Sequence, residues 1–230
     1  MKLIPNAARR HFDRVLTPIA DGLIATGIHP NTLTTIGFLI LVGSATAFGL
    51  GFIHLGGALL LFSGAFDMLD GKVARGGNRI SRFGAFYDST LDRVGELALF
   101  GAIAMFFLRG GVRVDLQGWA VGSAIVALGM GLIVSYARAR AEGLMLECKV
   151  GIAQRAERIV VLGAPTVFLG AGPDGLLLFW LIALLAIVSA ITVVQRIHHV
   201  YRVTQALAEE RTVREPVPAL VDAEEGRRRE

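Results

Sequence analysis

Residues 66–96 read FDMLDGKVARGGNRISRFGAFYDSTLDRVGE, and this polar stretch lies between two apolar segments. It carries the four aspartates Asp67, Asp70, Asp88 and Asp92. On an α-helix with about 3.6 residues per turn, Asp67 and Asp70 share one face, and Asp88 and Asp92 repeat at i and i+4. Two such helices facing each other would gather the carboxylates around one cavity. The stretch therefore predicts two packed helices with a cation site between them.

The residue types in this stretch also indicate which cation to expect. Carboxylate oxygens suit hard divalent ions such as Mg²⁺ or Mn²⁺. The segment contains no His or Cys, so a zinc site is not expected. Mg²⁺ in proteins usually binds together with substrate phosphates, because it keeps open positions for phosphate oxygens. The sequence thus favours a metal site for a phosphate-containing substrate over the alternative, a solvated acidic loop between helices.

The composition of the whole chain places this site in a membrane protein. Hydrophobic residues make up 53% of the 230 residues, there are 28 glycines, and the mean hydropathy is +0.59. Charged residues cluster between apolar blocks, whereas a soluble helical protein would spread them along polar helix faces. The single cysteine, Cys148, cannot form an internal disulfide. These features predict one helical membrane bundle and give no reason to expect a nucleic-acid partner.

Apolar runs close to the length needed to span a bilayer can be located along the chain. They cover 33–51, 52–66, 94–108, 118–137, 159–171 and 176–194. Three of them are short, and we expect these helices to continue into the neighbouring polar segments. Before them, residues 7–25 combine an apolar stripe with arginines, which is typical of a helix lying on the membrane surface. We predict an all-α polytopic protein with an N-terminal interfacial amphipathic helix and six transmembrane helices within about 32–196.

The distribution of Lys and Arg predicts the orientation. Basic residues cluster before the first span, in the aspartate segment, between the fourth and fifth spans and after the last span, whereas Arg109 and Arg113 stand opposite them. The positive-inside rule then places both termini and the site on the cytoplasmic side of the plasma membrane. Residues 1–207 would form the membrane domain. Residues 208–230, rich in charge, are predicted to be a disordered cytoplasmic tail.

The aspartate segment follows the pattern D-x2-D-G-x2-A-R-x8-G-x3-D-x3-D without a departure at any fixed position. In this it resembles the CDP-alcohol phosphotransferase family, membrane enzymes that replace the CMP of a CDP-linked lipid with an alcohol. The resemblance implies a homodimer that binds Mg²⁺ or Mn²⁺, with two ions in each active site. It assigns the metal to Asp67, Asp70, Asp88 and Asp92, and the CDP-lipid to Asp70, Gly71, Ala74, Arg75 and Gly84. Asp92 is also the candidate base that deprotonates the acceptor, although metal ligation would lower its basicity.

A second set of residues concerns the acceptor. The segments SYARARAE, GIAQRAERIVV and VVQRIHHVY lie at predicted helix ends on the cytoplasmic side. Guanidinium groups offer planar forks of donors that suit a dianionic phosphate. The simpler interpretation is that these arginines set the membrane topology and contact lipid headgroups. We interpret the set as a phosphate site for the acceptor, formed by Arg138, Arg140, Arg155, Arg158 and Arg196.

These segments resemble the branch of the family that makes phosphatidylinositol phosphate or archaetidylinositol phosphate. That branch shows S-Y-x-[KR]-A-R-A-E, R-x-E-R and Q-R-[IL]-H, which match Arg138 and Arg140, Arg158, and Arg196 in this chain. Residues 154–158 read QRAER where the branch commonly has ERPER. The resemblance implies transfer of the phosphatidyl group of CDP-diacylglycerol to 1D-myo-inositol 3-phosphate, giving phosphatidylinositol phosphate and CMP.

Three alternatives to this assignment were weighed. Within the family, glycerol 3-phosphate as acceptor would give phosphatidylglycerophosphate. A prenyl transferase would also use aspartates to hold a diphosphate, but its usual pattern lacks the interposed D-G-x2-A-R. A metal-binding membrane carrier or scaffold would be expected to bury charges within its spans, and the predicted spans here are nearly free of charge.

Overall fold

The computed structural model describes residues 6–152 and 154–214, with side chains from 14 to 209, and all regular structure within these ranges is helical. Residues 1–5, 153 and 215–230 lie outside the described part. The chain forms helices α1 (Asn6–Ala25), α2 (Pro30–Gly49), α3 (Ile53–Gly76), α4 (Arg82–Phe106), α5 (Gln117–Gly143), α6 (Arg155–Leu169) and α7 (Leu176–Arg214). A π-helical turn (Phe107–Gly111) and two 3₁₀ turns (Val114–Leu116 and Pro173–Gly175) connect some of them.

The N-terminal helix α1 lies against α3, within almost the same range as the predicted amphipathic helix. Leu16 and Ala20 are buried in a small apolar cluster with Leu69 and Val73 of α3. The apolar Val15 remains exposed on α1. An exposed apolar side chain on a helix that also buries one stripe is typical of a helix at a lipid interface.

The remaining helices form one bundle in which α2 packs against α3 and α4, α4 against α5, and α5 against α7. Its core is apolar, and large side chains from several helices are completely or almost completely buried: Phe48, Leu60, Ile103, Leu162 and Ile182. In a bilayer, tight van der Waals packing of this kind holds helices together, because lipid is as apolar as the core. The bundle therefore gives a rigid frame for the polar residues at one end.

Helices α3 and α6 approach each other closely because small residues line their contact. A Cβ built on Gly57 would lie 3.0 Å from the carbonyl oxygen of Gly163, and one on Gly64 would lie 3.1 Å from Cγ2 of Ile159. The partners run in opposite directions along the two helices, so α3 and α6 are antiparallel. This register brings the N-terminal residue of α6, Arg155, beside the second half of α3.

Four helical segments are long and apolar enough to cross a bilayer within the described residues: Pro30–Gly49, Ile53–Gly76, Val114–Gly143 and Pro173–Glu209. Helices α4 and α6, which contain most of the predicted spans 94–108 and 159–171, do not meet that criterion. The reason for α6 is its length of 15 residues, and the reason for α4 is the charge carried by its first half. The described part of the chain is thus that of an all-helical integral membrane protein.

Helix α7 is longer than the apolar pattern predicts. The apolar run ends near 194, but the helix continues to Arg214. Residues 208–214, which we predicted to belong to the disordered tail, are therefore helical. The remainder of that predicted tail, residues 215–230, lies outside the described residues.

Candidate active site

The aspartates meet where the end of α3 faces the start of α4. Carboxylate oxygens of Asp67, Asp70 and Asp88 lie within 4.8 Å of one another. The start of α4 is fixed by a cap in which the Ser81 hydroxyl accepts a hydrogen bond of 2.9 Å from the backbone N–H of Gly84. Local capping and the i, i+3 spacing on α3 thus position three of the four predicted metal ligands as the sequence indicated.

Helix α2 supports both of these helices. The Thr34 hydroxyl donates to Asp70 Oδ2 at 2.7 Å, and the hydroxyls of Thr35 and Tyr87 are 3.0 Å apart. One hydrogen bond therefore reaches α3 and the other α4. Because both threonines lie on the first turns of α2, this helix fixes the separation of the two acidic stripes.

The carboxylates surround a small, partly open cavity. Its lining residues come from α2, α3, α4 and α6: Thr34, Gly37, Phe38, Leu41, Ser63, Asp67, Asp70, Asp88, Leu91, Asp92 and Arg155. Asp88 Oδ1 is buried and makes no hydrogen bond to any described residue. A buried carboxylate oxygen without a donor is costly. A divalent cation would satisfy this oxygen, so the residues present fit a metal site.

Asp92 has different surroundings from the other three aspartates. Its Oδ1 lies 2.7 Å from Arg155 Nη2, and its Oδ2 lies 3.5 Å from Arg93 Nη2. It lines the cavity but stands outside the group of three carboxylates within 4.8 Å. A carboxylate held by two guanidinium groups is oriented by protein charges.

Arg155 occupies the carboxylate cavity. Its Nη1 lies 2.6 Å from Asp67 Oδ1, so that one guanidinium bridges Asp67 on α3 and Asp92 on α4. The sequence placed Arg155 with the acceptor arginines but did not indicate this contact. The antiparallel register of α3 and α6 explains it.

The residues assigned to the CDP-lipid lie next to the carboxylates. Gly71 and Ala74 are half-buried on α3, whereas Arg75 is exposed. A Cβ on Gly71 would be 3.3 Å from Arg75 Nη1, and a Cβ on Gly84 would be 3.2 Å from Asn31 Oδ1 of α2. Only small residues fit at these two positions without shifting a neighbour.

The predicted acceptor arginines divide into distinct environments. Arg138 and Arg140 are exposed at the end of α5, where Arg138 pairs with Glu142 at 2.8 Å. Arg158 and Arg196 are buried, with 6% and 5% of their surfaces exposed. Arg196 donates to the carbonyl oxygens of Val134 and Val150, the second at 3.1 Å. The structure therefore does not gather the five side chains into a single exposed cluster.

A buried ionic network was missed at the sequence level. Glu96 Oε1 accepts from Arg158 Nη2, and Glu96 Oε2 accepts from Arg93 Nη1 at 3.1 Å. Arg93 Nη1 also donates to the Ser135 hydroxyl on α5. The sequence signal was available, since Arg93 and Glu96 stand at i, i+3 beside an apolar run, where a charge requires a partner.

Comparison with known proteins identifies the group to which this chain is similar. The family model described as CDP-alcohol phosphatidyltransferase matches residues 27–194. The archaetidylinositol phosphate synthase of Methanothermobacter thermautotrophicus is 38% identical over 201 residues, covering 86% of this chain and 94% of that protein. The phosphatidylinositol phosphate synthase of Streptomyces avermitilis is 37% identical over 202 residues, covering 85% of this chain and 81% of that one.

Two crystal structures of the phosphatidylinositol phosphate synthase of Mycobacterium tuberculosis share this fold at 32% sequence identity, each with a TM-score of 0.71. The one with CDP-DAG bound covers 82% of this chain and 94% of its own. The one in complex with manganese and citrate covers 81% of this chain and 88% of its own. With the family pattern complete and the family model matching most of the membrane region, this chain belongs to the CDP-alcohol phosphatidyltransferase family.

Proposed function

We propose that this protein transfers the phosphatidyl group of CDP-diacylglycerol to 1D-myo-inositol 3-phosphate, forming phosphatidylinositol phosphate and releasing CMP. The observation that carries the proposal is the position of Arg155, which lines both the carboxylate cavity and a second cavity that contains Arg158. A site for a metal and a diphosphate therefore adjoins a cavity that holds two guanidinium groups among apolar side chains. The names of the similar synthases and the structure with CDP-DAG bound agree with this division.

In the first cavity, Asp67, Asp70 and Asp88 would hold Mg²⁺ or Mn²⁺, with two ions in the site. Asp92, which the family pattern also assigns to the metal, lines the cavity outside this group of three. The bound ions would supply positive charge that neutralises the diphosphate. The complex of the Mycobacterium tuberculosis enzyme with manganese supports this choice of metal. The unpartnered oxygen of Asp88 supports it independently.

Next to these carboxylates, Gly71, Ala74 and Gly84 would let the CDP group approach the helix backbone closely. Arg75, exposed one turn after Gly71, would bind phosphate oxygens of the same ligand. Asp70 would contact both the metal and the CDP-lipid. These roles follow from the match of each residue to the family pattern.

Asp92 would act as the base for the acceptor hydroxyl, which attacks the β-phosphorus and displaces CMP. Its ion pairs with Arg155 and Arg93 would keep the carboxylate oriented. Each oxygen of Asp92 then faces a guanidinium, which leaves less room for a metal ion but, like metal ligation, lowers the basicity of the carboxylate.

The acceptor phosphate would be bound by Arg138, Arg140, Arg155, Arg158 and Arg196. Buried guanidinium groups bind phosphate strongly because charge-assisted hydrogen bonds gain strength where water is excluded. Arg158 and Arg196 would form the inner part of this site. Arg138 and Arg140, which are exposed, would form its entrance.

We propose that helices α2 to α7 span the membrane six times and that α1 lies on its surface. The protein would reside in the plasma membrane, with both termini and the active site on the cytoplasmic side. The packing of α4 and α6 against the four apolar segments supports six spans, since each is covered by neighbouring helices. The membrane domain would be 1–207 followed by a tail, and the protein would be a homodimer.

A CMP-release assay in detergent tests the proposed function. CDP-diacylglycerol is supplied with inositol 3-phosphate, glycerol 3-phosphate, free inositol or free glycerol, each as sole acceptor. We expect the highest kcat/KM with inositol 3-phosphate. Faster turnover of glycerol 3-phosphate would make the protein a phosphatidylglycerophosphate synthase. If none of these acceptors supports the release of CMP, both functions are rejected. The carrier and prenyl transferase alternatives are not supported by the family match.

A further inference from the structure

Glu96 is a buried carboxylate to which neither the family pattern nor the proposed function assigns a role. It lies one turn after Asp92 on α4, and only 7% of its surface is exposed. Each of its oxygens accepts from a different guanidinium, Oε1 from Arg158 and Oε2 from Arg93. Burying a carboxylate is costly unless it is paired and hydrogen-bonded, and these two contacts meet that requirement.

The cavity next to Glu96 brings two guanidinium groups together among apolar side chains. It is lined by Glu96, Arg155 and Arg158 together with apolar residues. Arg158 experiences the fields of three further arginines, Arg93, Arg155 and Arg196. Arg155 is paired with Asp67 and Asp92, whereas Arg158 is paired with Glu96 through one nitrogen. A guanidinium with a nitrogen left without an acceptor suits an anion that supplies one.

Arg158 has one terminal nitrogen that is hydrogen-bonded and one that is not. Its Nη2 donates to Glu96, whereas its Nη1 is buried and makes no hydrogen bond to any described residue. Space for Nη1 exists because residue 131 on α5 is glycine, and an added Cβ there would overlap it. A buried donor without an acceptor is costly in the free protein and becomes useful when a ligand supplies the acceptor.

We infer that Glu96 is a positioning residue for the acceptor. It fixes Arg158 through Nη2 so that Nη1 stays available for the acceptor's phosphate, and it fixes Arg93, whose other side lies 3.5 Å from Asp92. The Glu96 carboxylate thereby holds two arginines in place: Arg158, which would bind the phosphate, and Arg93, which pairs with the candidate base Asp92. This inference rests on the proposed function, and in particular on an acceptor that carries a phosphate.

A purely structural role for Glu96 makes a different prediction. If Glu96 serves only to neutralise buried arginines, then any carboxylate at this position preserves activity as well as stability. If it positions Arg158, the length of the side chain matters, because a shorter carboxylate cannot reach both guanidinium groups. Glu96→Asp separates the two roles, since it keeps the charge and removes one methylene.

The experiment compares wild type, Glu96→Asp, Glu96→Gln and the control Glu147→Gln in detergent. Glu147 also pairs with a cation, Lys149, at 2.5 Å, but both side chains are at least 70% exposed. Thermal unfolding, the acceptor KM and the KM for CDP-diacylglycerol are measured for each protein. We expect Glu96→Asp to unfold near the wild-type temperature, with an acceptor KM raised by roughly fivefold or more and an unchanged KM for CDP-diacylglycerol.

We expect Glu96→Gln to raise the acceptor KM further and to lower the unfolding temperature, and Glu147→Gln to match wild type. An unchanged acceptor KM in folded Glu96→Asp overturns the inference. Failure of both Glu96 variants to fold, or a parallel rise of both KM values, assigns Glu96 a structural role and overturns it too. A wild-type preference for glycerol 3-phosphate overturns only the proposed function, because that acceptor also carries a phosphate and gives the same test of Glu96.

Discussion

The Arg155 guanidinium lies 2.6 Å from the Asp67 carboxylate, inside the cavity that also holds Asp70 and Asp88. A positively charged side chain therefore pairs with a carboxylate oxygen that the sequence assigns to a metal ion. A guanidinium and a divalent cation cannot share this oxygen without repelling each other. Loading of the metal must move Arg155 away from Asp67 or compete with it.

We predict that Arg155→Gln binds Mn²⁺ more tightly than wild type, by roughly fivefold or more, because the competing charge is removed. The measurement is calorimetric titration of Mn²⁺ into detergent-purified protein without substrates. Arg138→Gln serves as the control, since Arg138 pairs with the exposed Glu142 and not with an aspartate of the cavity. An equal or weaker affinity in Arg155→Gln would show that the guanidinium does not compete with the metal.

Asp88 is the aspartate whose replacement should affect the metal most directly. We predict that Asp88→Asn lowers the rate of CMP release by roughly 100-fold or more, because the amide keeps the shape but removes the charge that anchors the cation. The same variant should lose Mn²⁺ affinity in the titration described above. Circular dichroism would show that the protein remains helical. Wild-type turnover in Mg²⁺ would reject the metal site.

Asp92→Asn should behave differently, since Asp92 is held by Arg155 and Arg93 outside the triad of carboxylates. We predict a loss of CMP release comparable to that of Asp88→Asn, with an Mn²⁺ affinity close to that of wild type. Loss of activity without loss of metal is the expected result for a base. If the Mn²⁺ affinity falls as far as in Asp88→Asn, then Asp92 is a fourth metal ligand.

The sequence predicted the carboxylate site well because helical spacing is a local property. Asp67 and Asp70 at i, i+3 must share a face of α3, and the short polar connection keeps the start of α4 near the end of α3. Contrary to the prediction, these two helices do not pack directly against each other in the described part of the chain; both pack against α2, which lies between them. Contacts of the arginines could not be predicted in this way. Arg155 reaches Asp67 only because Gly57 and Gly163 let α3 and α6 pack closely in an antiparallel register.

The charged residues of α4 and α6 also made these two helices difficult to identify as membrane spans from composition. Glu96 and Arg158 neutralise each other across these two helices, but a hydropathy pattern counts each of them as a charge in a membrane segment. The pairing of residues on different helices depends on tertiary packing. For the same reason, the sequence could not separate the buried Arg158 and Arg196 from the exposed Arg138 and Arg140.

Arg196 connects α7 to the chain that precedes α6 through its bond to the Val150 carbonyl. We predict that Arg196→Gln raises the acceptor KM by roughly tenfold and leaves the KM for CDP-diacylglycerol unchanged, since charge-assisted hydrogen bonds contribute about 1.5–3 kcal/mol each. Steady-state kinetics and thermal unfolding should be measured together. If both KM values rise in step with a loss of stability, Arg196 serves the fold and not the acceptor.

Gly131 on α5 offers a test of Arg158 that leaves every charge in place. A Cβ at this position would overlap Arg158 Nη1, whereas a Cβ at Gly129, two residues earlier on the same helix, would meet nothing within 4 Å. We predict that Gly131→Ala displaces the guanidinium and raises the acceptor KM by roughly fivefold or more, and that Gly129→Ala has the wild-type KM. Both substitutions raise helix propensity equally, so their difference reports the contact with Arg158. Equal acceptor KM values for the two variants would mean that the position of Nη1 does not matter for the acceptor.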